Sequence, residues 1–466
     1  MIKFILNDQQ IESCLPPQTV VLDFLRQTER IKSCKESCRT GGCGSCLVLL
    51  SNKKANQYHS VNSCLLTLGE ASGKHLVTIE GFKQEKMNYI QQAMVEQHAA
   101  QCGYCTVGFI VALAAFLLEA QVFTVEQAIR HLDGNICRCT GYQSIKRAVA
   151  AICEEFSTLE NKTFAHRLGW LVEKQIIPKY FFGISKRLQE IQDQRIEVVP
   201  ESNFVFIAGG TDLLLQDKLP ENLVYLSNRD DLKQITNQQQ TVYIGSAVTI
   251  TNLQNSAVIH KNLPAMSTYL DQIASKPIRN SATIGGNIVS AAPTADICVI
   301  FLALQTTLLL NNKQKTREVL LEDFFLGKRK VDKHPHELLE QIIFSLPQQN
   351  TFFNFEKIAK RSCFDTATVN SAINIKMEKE TIREIDISFG GVASKPILLQ
   401  KTMDFLKNKM LTVKSIQEAN NIAQLEISPT DDIRGSSQYK RLLVRQLIYA
   451  HFLKLFPKKI QGVDLF

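Results

Sequence analysis

The sequence predicts an α+β multidomain protein: a small β-rich unit, a compact bundle of four helices, then a larger mixed unit with an α/β part at its end. Three observations predict it. The apolar pattern is strand-like and broken by turns over residues 1–80, helical over 82–157, and alternates between the two periods from about 186 onward. A length of 466 residues is room for about three domains. Hydrophobic content of 45% with mean hydropathy near zero belongs to a globular chain with real cores, which excludes disorder as a description of the whole.

Each element has its own warrant. IKFILN, a polar turn at Asn7, Asp8, Gln9 and Gln10, and IESCLP predict a hairpin. Residues 19–28, TVVLDFLRQT, predict a short amphipathic helix behind Pro16-Pro17. CLVLL at 46–50 and HLVTIEG at 75–81 are later strands, and Gly41, Gly42 and Gly44 make the segment between them and the helix a loop. Helices are expected over 88–101, over 107–120 (apolar nearly all round, hence buried), over 125–132 with Thr124 as N-cap and Asp133-Gly134 as stop, and over 144–156. Residues 158–185 carry a weaker pattern and read as a linker. Strand and helix patterns then alternate through FVFIAGG, VYIGSAV, VIFLALQTTLLLN and LLEQIIFSLP, and a last unit from about 350 holds SAINIKM, EIDISFGGV and further helices.

Composition narrows the function. The net charge of +8 is mild and contains no basic block of the kind that binds nucleic acid. The longest apolar run, 107–118, is too short to span a bilayer, and Asn7 and Asp8 interrupt the place where a secretion signal needs its apolar core. A cytoplasmic protein is expected. Thirteen cysteines, most of them in the first 140 residues at tight spacings, then point to metal or redox sites rather than disulfides.

Cys38-x4-Cys43-x2-Cys46, with Cys64 further on, has the spacing by which four thiolates hold a plant-type [2Fe–2S] cluster. The glycines between them allow a sharp turn that presents backbone N–H groups to sulfur. A structural zinc site prefers C-x2-4-C pairs and fits less well. A second set, Cys102-Gly-Tyr-Cys105 with Cys137-Arg-Cys139, opens two helices, whose N-termini favour thiolates; on spacing alone zinc stays open there. Cys14, Cys34, Cys153, Cys298 and Cys363 read as free thiols, and His98 and His131 as ordinary surface or packing residues. Two glycine pairs follow apolar strands, at Gly209-Gly210-Thr211-Asp212 and at Gly285-Gly286-Asn287 with Asp296 beyond. Neither is a dinucleotide fingerprint or a phosphate loop; each could place backbone donors on a pyrophosphate, or be a plain turn.

Taken together, FILN with P-x-x-TVVLDFLR, KESC-x4-CGSC, QCGYC, NICRCTGY, IAGGTDLLLQ, KPIRNSATIGGNIVSAAPTAD and KIAKR at 357–361 resemble the iron–sulfur/flavin chain of the molybdenum hydroxylase family, in the form of the bacterial xanthine dehydrogenase small subunit. The resemblance runs over nearly the whole chain. It implies a plant-type [2Fe–2S] ferredoxin-like β-grasp domain (1–81), a four-helix [2Fe–2S] bundle (82–157), a linker (158–185), an FAD-binding α+β domain (186–349) and a C-terminal α/β flavoprotein subdomain (350–466). It implies Cys102, Cys105, Cys137 and Cys139 as ligands of the cluster nearer molybdenum, and Cys38, Cys43, Cys46 and Cys64 as ligands of the cluster nearer the flavin. Gln101 matches a glutamine that contacts the partner's molybdopterin. Ile207, Ala208, Gly209, Gly210, Thr211, Asp212 and Leu213 would wrap the FAD pyrophosphate. Thr283, Ile284, Gly285, Gly286, Asn287, Asp296 and Lys357 would hold the rest, with Ile273 at a position where some relatives carry an aromatic residue beside the flavin.

By the same resemblance, a separate large molybdenum subunit oxidises hypoxanthine and xanthine to urate, and electrons pass through both clusters to FAD and on to NAD+. A heterotetramer of two small and two large chains is implied, and no acid or base of this chain is nominated as catalytic. The same architecture serving an aldehyde or N-heterocycle hydroxylase is the alternative. Two departures stand out. The family usually carries Gly before the first cluster cysteine and Gly-Glu-Gly after it, where this chain has Ser37 and Arg39-Thr40-Gly41; and an acidic run common in relatives is reduced, over 361–365, to Asp365.

Overall fold

The computed structural model describes residues 1–191, 204–216, 219–312 and 314–465. Residues 192–203, 217–218 and 313 of the expected FAD-binding stretch, and Phe466 of the last subdomain, lie outside them. Contacts divide the chain into two compact units, Met1–Ser227 with Ser275–Ser281, and Asn228–Ala274 with Ala282–Phe466.

In the first unit, β1 (Ile2–Leu6), β2 (Gln9–Ser13), β3 (Leu47–Ser51), β4 (Tyr58–Asn62) and β5 (His75–Val77) form a sheet in the order β2-β1-β5-β3-β4. The hairpin turns at Asn7, whose φ of 53° suits asparagine. β1 pairs parallel with β5, and the other pairings are antiparallel. Alternation along the strands serves two cores. Phe4, Val48 and Leu50 pack on the helical stretch of Val21–Asp23 and Phe24–Thr28, while Ile5, Leu47, Leu49 and Val77 face a helical layer.

That layer contains α1 (Tyr89–Glu96), α2 (Thr106–Glu119), α3 (Val125–His131) and α4 (Gln143–Phe156). A capping box at Asn88 starts α1, and Thr124 Oγ1 accepts from Gln127 N to start α3. Every α2 residue from Gly108 to Leu118 is buried, which accounts for a helix without a polar face. The expected linker departs from its reading. Thr163 caps a further helix, α5 (Phe164–Glu173), α6 (Ile184–Glu190) follows, and Leu171, Val172, Ile176, Ile177, Phe181 and Ile184 are buried in the helical core. Its apolar residues fall in short helices whose partners are distant in sequence, so the local period is weak. A parallel pair, β6 (Val205–Ile207) with β7 (Leu223–Tyr225), completes this unit.

In the second unit, β8 (Ile235–Gln238), β9 (Thr241–Gly245), β10 (Thr307–Asn311), β11 (Thr316–Leu320) and β12 (Leu338–Ser345) form an antiparallel sheet ordered β11-β10-β12-β9-β8. Short helices α7 (Ile284–Ser290) and α8 (Asp296–Ala303) precede β10. An antiparallel meander of β13 (Thr351–Ile358), β14 (Val369–Glu378), β15 (Thr381–Gly390) and β16 (Ile397–Leu398) follows. Helices α9 (Gln400–Leu406), α10 (Val413–Glu426) and α11 (Ser437–Leu455) share its core through Leu406, Ile416, Val444 and Phe452.

Candidate redox and flavin sites

The cysteines of the first set come together as two thiol pairs. Cys46 Sγ lies 3.4 Å from Cys64 Sγ, and Cys38 is hydrogen-bonded to Cys43. Cys38 Sγ also accepts from the backbone N–H of Thr40 (3.4 Å) and Gly42 (3.2 Å), and Asn62 Nδ2 approaches Cys46 Sγ at 3.8 Å. These bonds drop the Cys38 thiol below its ordinary range, the contact with Cys43 most of all, while the same contact pushes Cys43 up. Cys46 and Cys64 split in the same way, Cys46 downward and Cys64 upward. A metal held by these thiols would need them deprotonated. Cys46 and Cys64 are buried; Cys38 and Cys43 are half-buried.

The loop needs its glycines. Gly44 has φ +71°, and a Cβ there would lie 2.5 Å from Asn135 Nδ2 and 2.7 Å from the Gly134 carbonyl. Gly41 has φ +74°, with Ile278 and Leu65 closing on it.

The second set repeats the pairing nearer solvent. Cys102 Sγ is 3.7 Å from Cys139 Sγ, and the free thiols of Cys105 and Cys137 are hydrogen-bonded to each other. Cys105 is the N-cap of α2, so this pair meets the positive end of a buried helix. Thr140 Oγ1 donates to Cys137 Sγ (3.1 Å), and Cys137 N donates to Tyr142 Oη (3.0 Å). Cys102 and Cys139 are exposed, Cys137 is buried, and Gln101 Nε2 donates to the Cys139 carbonyl from the same surface.

Pairing also bears on the metal. One zinc ion would gather four ligands around a single point, whereas a two-iron cluster takes two thiolates on each iron. Among the described residues, no three His, Cys, Asp or Glu side chains surround a single ion position. Two thiol pairs with backbone donors on sulfur fit the two-iron group in both sets.

The two cysteine loops touch, which spacing did not reveal. Ile136 N, one residue before Cys137, donates to the Cys43 carbonyl (3.1 Å). Lys35 Nζ donates to the carbonyls of Gly103 and Tyr104 (both 3.2 Å), and Tyr104 Oη donates to the Glu36 carbonyl. A Cβ on Gly108 would lie 2.1 Å from the Gly44 carbonyl, so only glycine lets α2 approach the first loop. The Gly in an otherwise bulky apolar run was the one local signal.

His98 is exposed, and His131 packs edge-on against Phe116 with Nε2 3.7 Å from Glu119. Cys34, Cys153 and Cys298 are buried, and burial pushes their thiols up; Cys14 is exposed and Cys363 half-buried.

The flavin candidates fall in both units. In the first, Ile207 ends β6 and is buried, Gly210 takes φ +68°, and Leu214 N closes a turn on the Gly210 carbonyl (2.9 Å), so Ala208, Gly209, Thr211, Asp212 and Leu213 form a tight loop after a strand.

In the second, Thr283 caps α7 by accepting from Gly286 N (3.0 Å), and a Cβ on Gly285 would lie 2.5 Å from Ser246 Cβ. Ile284 is buried, and the Asn287 carbonyl and Oδ1 face the Cys298 thiol. Asp296 is engaged on both oxygens, by Lys357 Nζ (2.8 Å) and Asn370 Nδ2 (2.5 Å), while Lys357 also donates to the Gln272 carbonyl (2.9 Å). The pair is buried and satisfied within the protein, so it braces the backbone around Ile273, itself buried. Phe364, in the altered 361–365 loop, has φ 73°, donates its N–H to the Ala274 carbonyl (3.2 Å) and lies under the Arg361 guanidinium, which pairs with Asp365.

Four family models match the chain: a 2Fe-2S iron-sulfur cluster binding domain over 4–69, a [2Fe-2S] binding domain over 78–150, an FAD binding domain in molybdopterin dehydrogenase over 184–348, and a CO dehydrogenase flavoprotein C-terminal domain over 355–455. Aldehyde oxidase 1 of Bos taurus is 25% identical across 99% of this chain and 40% of its own length. Xanthine dehydrogenase of Drosophila pseudoobscura pseudoobscura is also 25% identical, across 98% of this chain and 39% of its own. The chain therefore spans about two-fifths of the curated relatives it matches. Among solved structures, a carbon monoxide dehydrogenase from Hydrogenophaga pseudoflava that lacks the Mo-pyranopterin moiety is 26% identical with a TM-score of 0.51, over 53% of this chain and 87% of that one.

Proposed function

We propose that the chain, in which family models match two [2Fe–2S] domains and an FAD-binding domain, is an iron–sulfur/FAD chain of the molybdenum hydroxylase family and the electron-transfer subunit of a xanthine dehydrogenase. One observation carries the reading: two separate sets of four cysteines, each folded into two thiol pairs, whose loops are joined by a hydrogen bond from Ile136 N to the Cys43 carbonyl. Cys38, Cys43, Cys46 and Cys64 would hold one cluster and Cys102, Cys105, Cys137 and Cys139 the other. When bound, the clusters carry single electrons and the flavin carries a pair.

The chain's own residues supply spacing and tuning. Gly44 and Gly108 permit the close approach of the two loops, and Thr40, Gly42 and Thr140 place donors on sulfur. In the second unit, the Thr283 cap and the braced Asp296–Lys357 pair would shape the FAD site. The exposed Cys102, Cys139 and Gln101 give the second set a face for a large molybdenum-binding partner chain, with two small and two large chains in the assembly. The donor would be hypoxanthine or xanthine, oxidised to urate on the partner, and the acceptor NAD+. A second reading keeps the role and changes the donor to an aldehyde or N-heterocycle; equal 25% identity to an aldehyde oxidase and a xanthine dehydrogenase favours keeping it in view. Neither needs a membrane: among the described residues no helix is long and apolar enough to cross one.

The test is a visible spectrum of the purified chain with iron, acid-labile sulfide and FAD counted. About four irons and one FAD per chain are expected. Zinc in place of iron, or no flavin, would overturn the reading. Co-purification with a molybdenum chain, and reduction of NAD+ by xanthine rather than by an aldehyde, would separate the two donors.

A further inference from the structure

Arg39 follows Cys38 directly and adopts φ 52°, a left-handed backbone that glycine takes freely and arginine does not. Something must hold it there, and two carboxylates do. The guanidinium meets Asp23 with both terminal nitrogens, Nη1 at 3.1 Å and Nη2 at 2.5 Å, and Glu36 through Nε at 2.6 Å. Asp23 ends the Val21–Asp23 turn, whose Val21 and Leu22 are buried in the sheet core, and Glu36 lies two residues before Cys38. The clasp thus ties the cysteine loop to a fixed element at one end and to its own entry at the other. The turn it holds has a chemical consequence: successive amides after a left-handed residue converge as a nest for a negative group, and Thr40 N and Gly42 N converge on Cys38 Sγ.

We propose that Arg39 is a positioning residue for the first cysteine set, its Asp23–Glu36 clasp holding the turn that aims two backbone amides at Cys38 and thereby setting the reduction potential of the centre bound there. Donors on a ligand sulfur favour the more negative, reduced cluster, so by aiming the two amides at Cys38 the clasp raises the potential. The guanidinium is 43% exposed, so salt reaches the clasp and the potential of the first centre depends on ionic strength. In the second set the Thr140 hydroxyl adds a side-chain donor to Cys137 Sγ. The proposal rests on Cys38 being an iron ligand.

The test uses the whole chain with its iron in place, comparing wild type, Arg39→Ala, Arg39→Gly and the double variant Asp23→Asn with Glu36→Gln. Paramagnetic-resonance redox titrations at low and high salt give the potential of each centre, and iron loss to a chelator gives retention. Alanine keeps the strain and loses the clasp, so the first centre's potential falls and its iron escapes about tenfold faster. Glycine takes the turn unaided, so retention returns towards wild type while the salt dependence disappears. The double variant should lose iron as fast as alanine does, with a potential above alanine's because it sheds two negative charges rather than one positive, and the second centre should not move in any of them. Wild-type potential and retention in Arg39→Ala, or no difference between alanine and glycine, would overturn the proposal. A Cys38→Ser chain that keeps both centres would instead overturn the ligand assignment beneath it.

Discussion

The two cysteine sets are built from the same unit, a pair of thiols facing a pair of thiols, yet the protein treats them oppositely. In the first, Cys46 and Cys64 are buried, Cys38 and Cys43 are half-buried, and backbone amides donate to Cys38. In the second, Cys102 and Cys139 are open to solvent, and the Thr140 hydroxyl donates to Cys137. An insulated set suits an internal relay whose potential must stay fixed. An exposed set suits electron exchange across a surface that another chain covers. The contact between Cys43 and Ile136 belongs to neither set alone; it joins the two cysteine loops.

The strongest way to break this contrast is to remove one ligand at a time. Cys64→Ser should abolish the first centre and leave the second, so iron falls from about four to about two per chain. Cys139→Ser should do the reverse. Iron counting with low-temperature paramagnetic resonance checks both. Loss of both centres from either single change would mean that the sets do not assemble independently, and the contrast would fail.

A smaller effect tests the junction. Gly108→Ala places a methyl 2.1 Å from the Gly44 carbonyl, so either α2 or the first loop must retreat. Overpacking of this kind costs about 1–3 kcal/mol, to be read by denaturant titration. Gly169, in α5, has open space where its Cβ would be, so Gly169→Ala should stabilise by about 0.5–1 kcal/mol and serves as the control. Equal effects of the two substitutions would deny the junction any tightness.

How far these features could be seen in the sequence depended on how local they are. The cysteine spacings, the glycines of the first loop, the Thr124 cap and the buried run of α2 are patterns a few residues long, and the structure keeps them within a residue or two. The pairing of Cys105 with Cys137 was not legible, nor was the return of Ser275–Ser281 to the first unit, where Arg279 makes a buried ion pair with Asp133. Both join residues far apart in the chain, and periodicity carries no signal for such a contact. The stretch over 158–185 was misread for a related reason: its two helices owe their stability to Leu171, Phe181 and Ile184 burying against α2 and its neighbours, not to a strong period of their own.

Acid sharpens the contrast with the smallest effect. His75, in the sheet that carries the first set, is fully buried, with Nδ1 2.7 Å from Tyr58 Oη and Nε2 2.8 Å from the Asn7 carbonyl. That carbonyl can only accept, so Nε2 carries the proton and Nδ1 accepts from the tyrosine. Burial lowers the imidazole from 6.5 to about 3, against the Asn7 bond that favours the charged form. The unfolded chain then binds a proton that the folded chain refuses between these values. Stability is therefore full above pH 6.5 and is lost as pH falls towards 3, at about 1.4 kcal/mol per unit once below 6.5. His451 in the second unit is buried and lowered in the same way, so whole-chain unfolding would mix the two. Hydrogen exchange separates them: between pH 7 and 5.5, amides of β5 should lose protection, after correction for the intrinsic pH dependence of exchange. The first centre's signal should fade before the second's. Simultaneous fading would show that burial under the sheet gives the first set no acid sensitivity of its own.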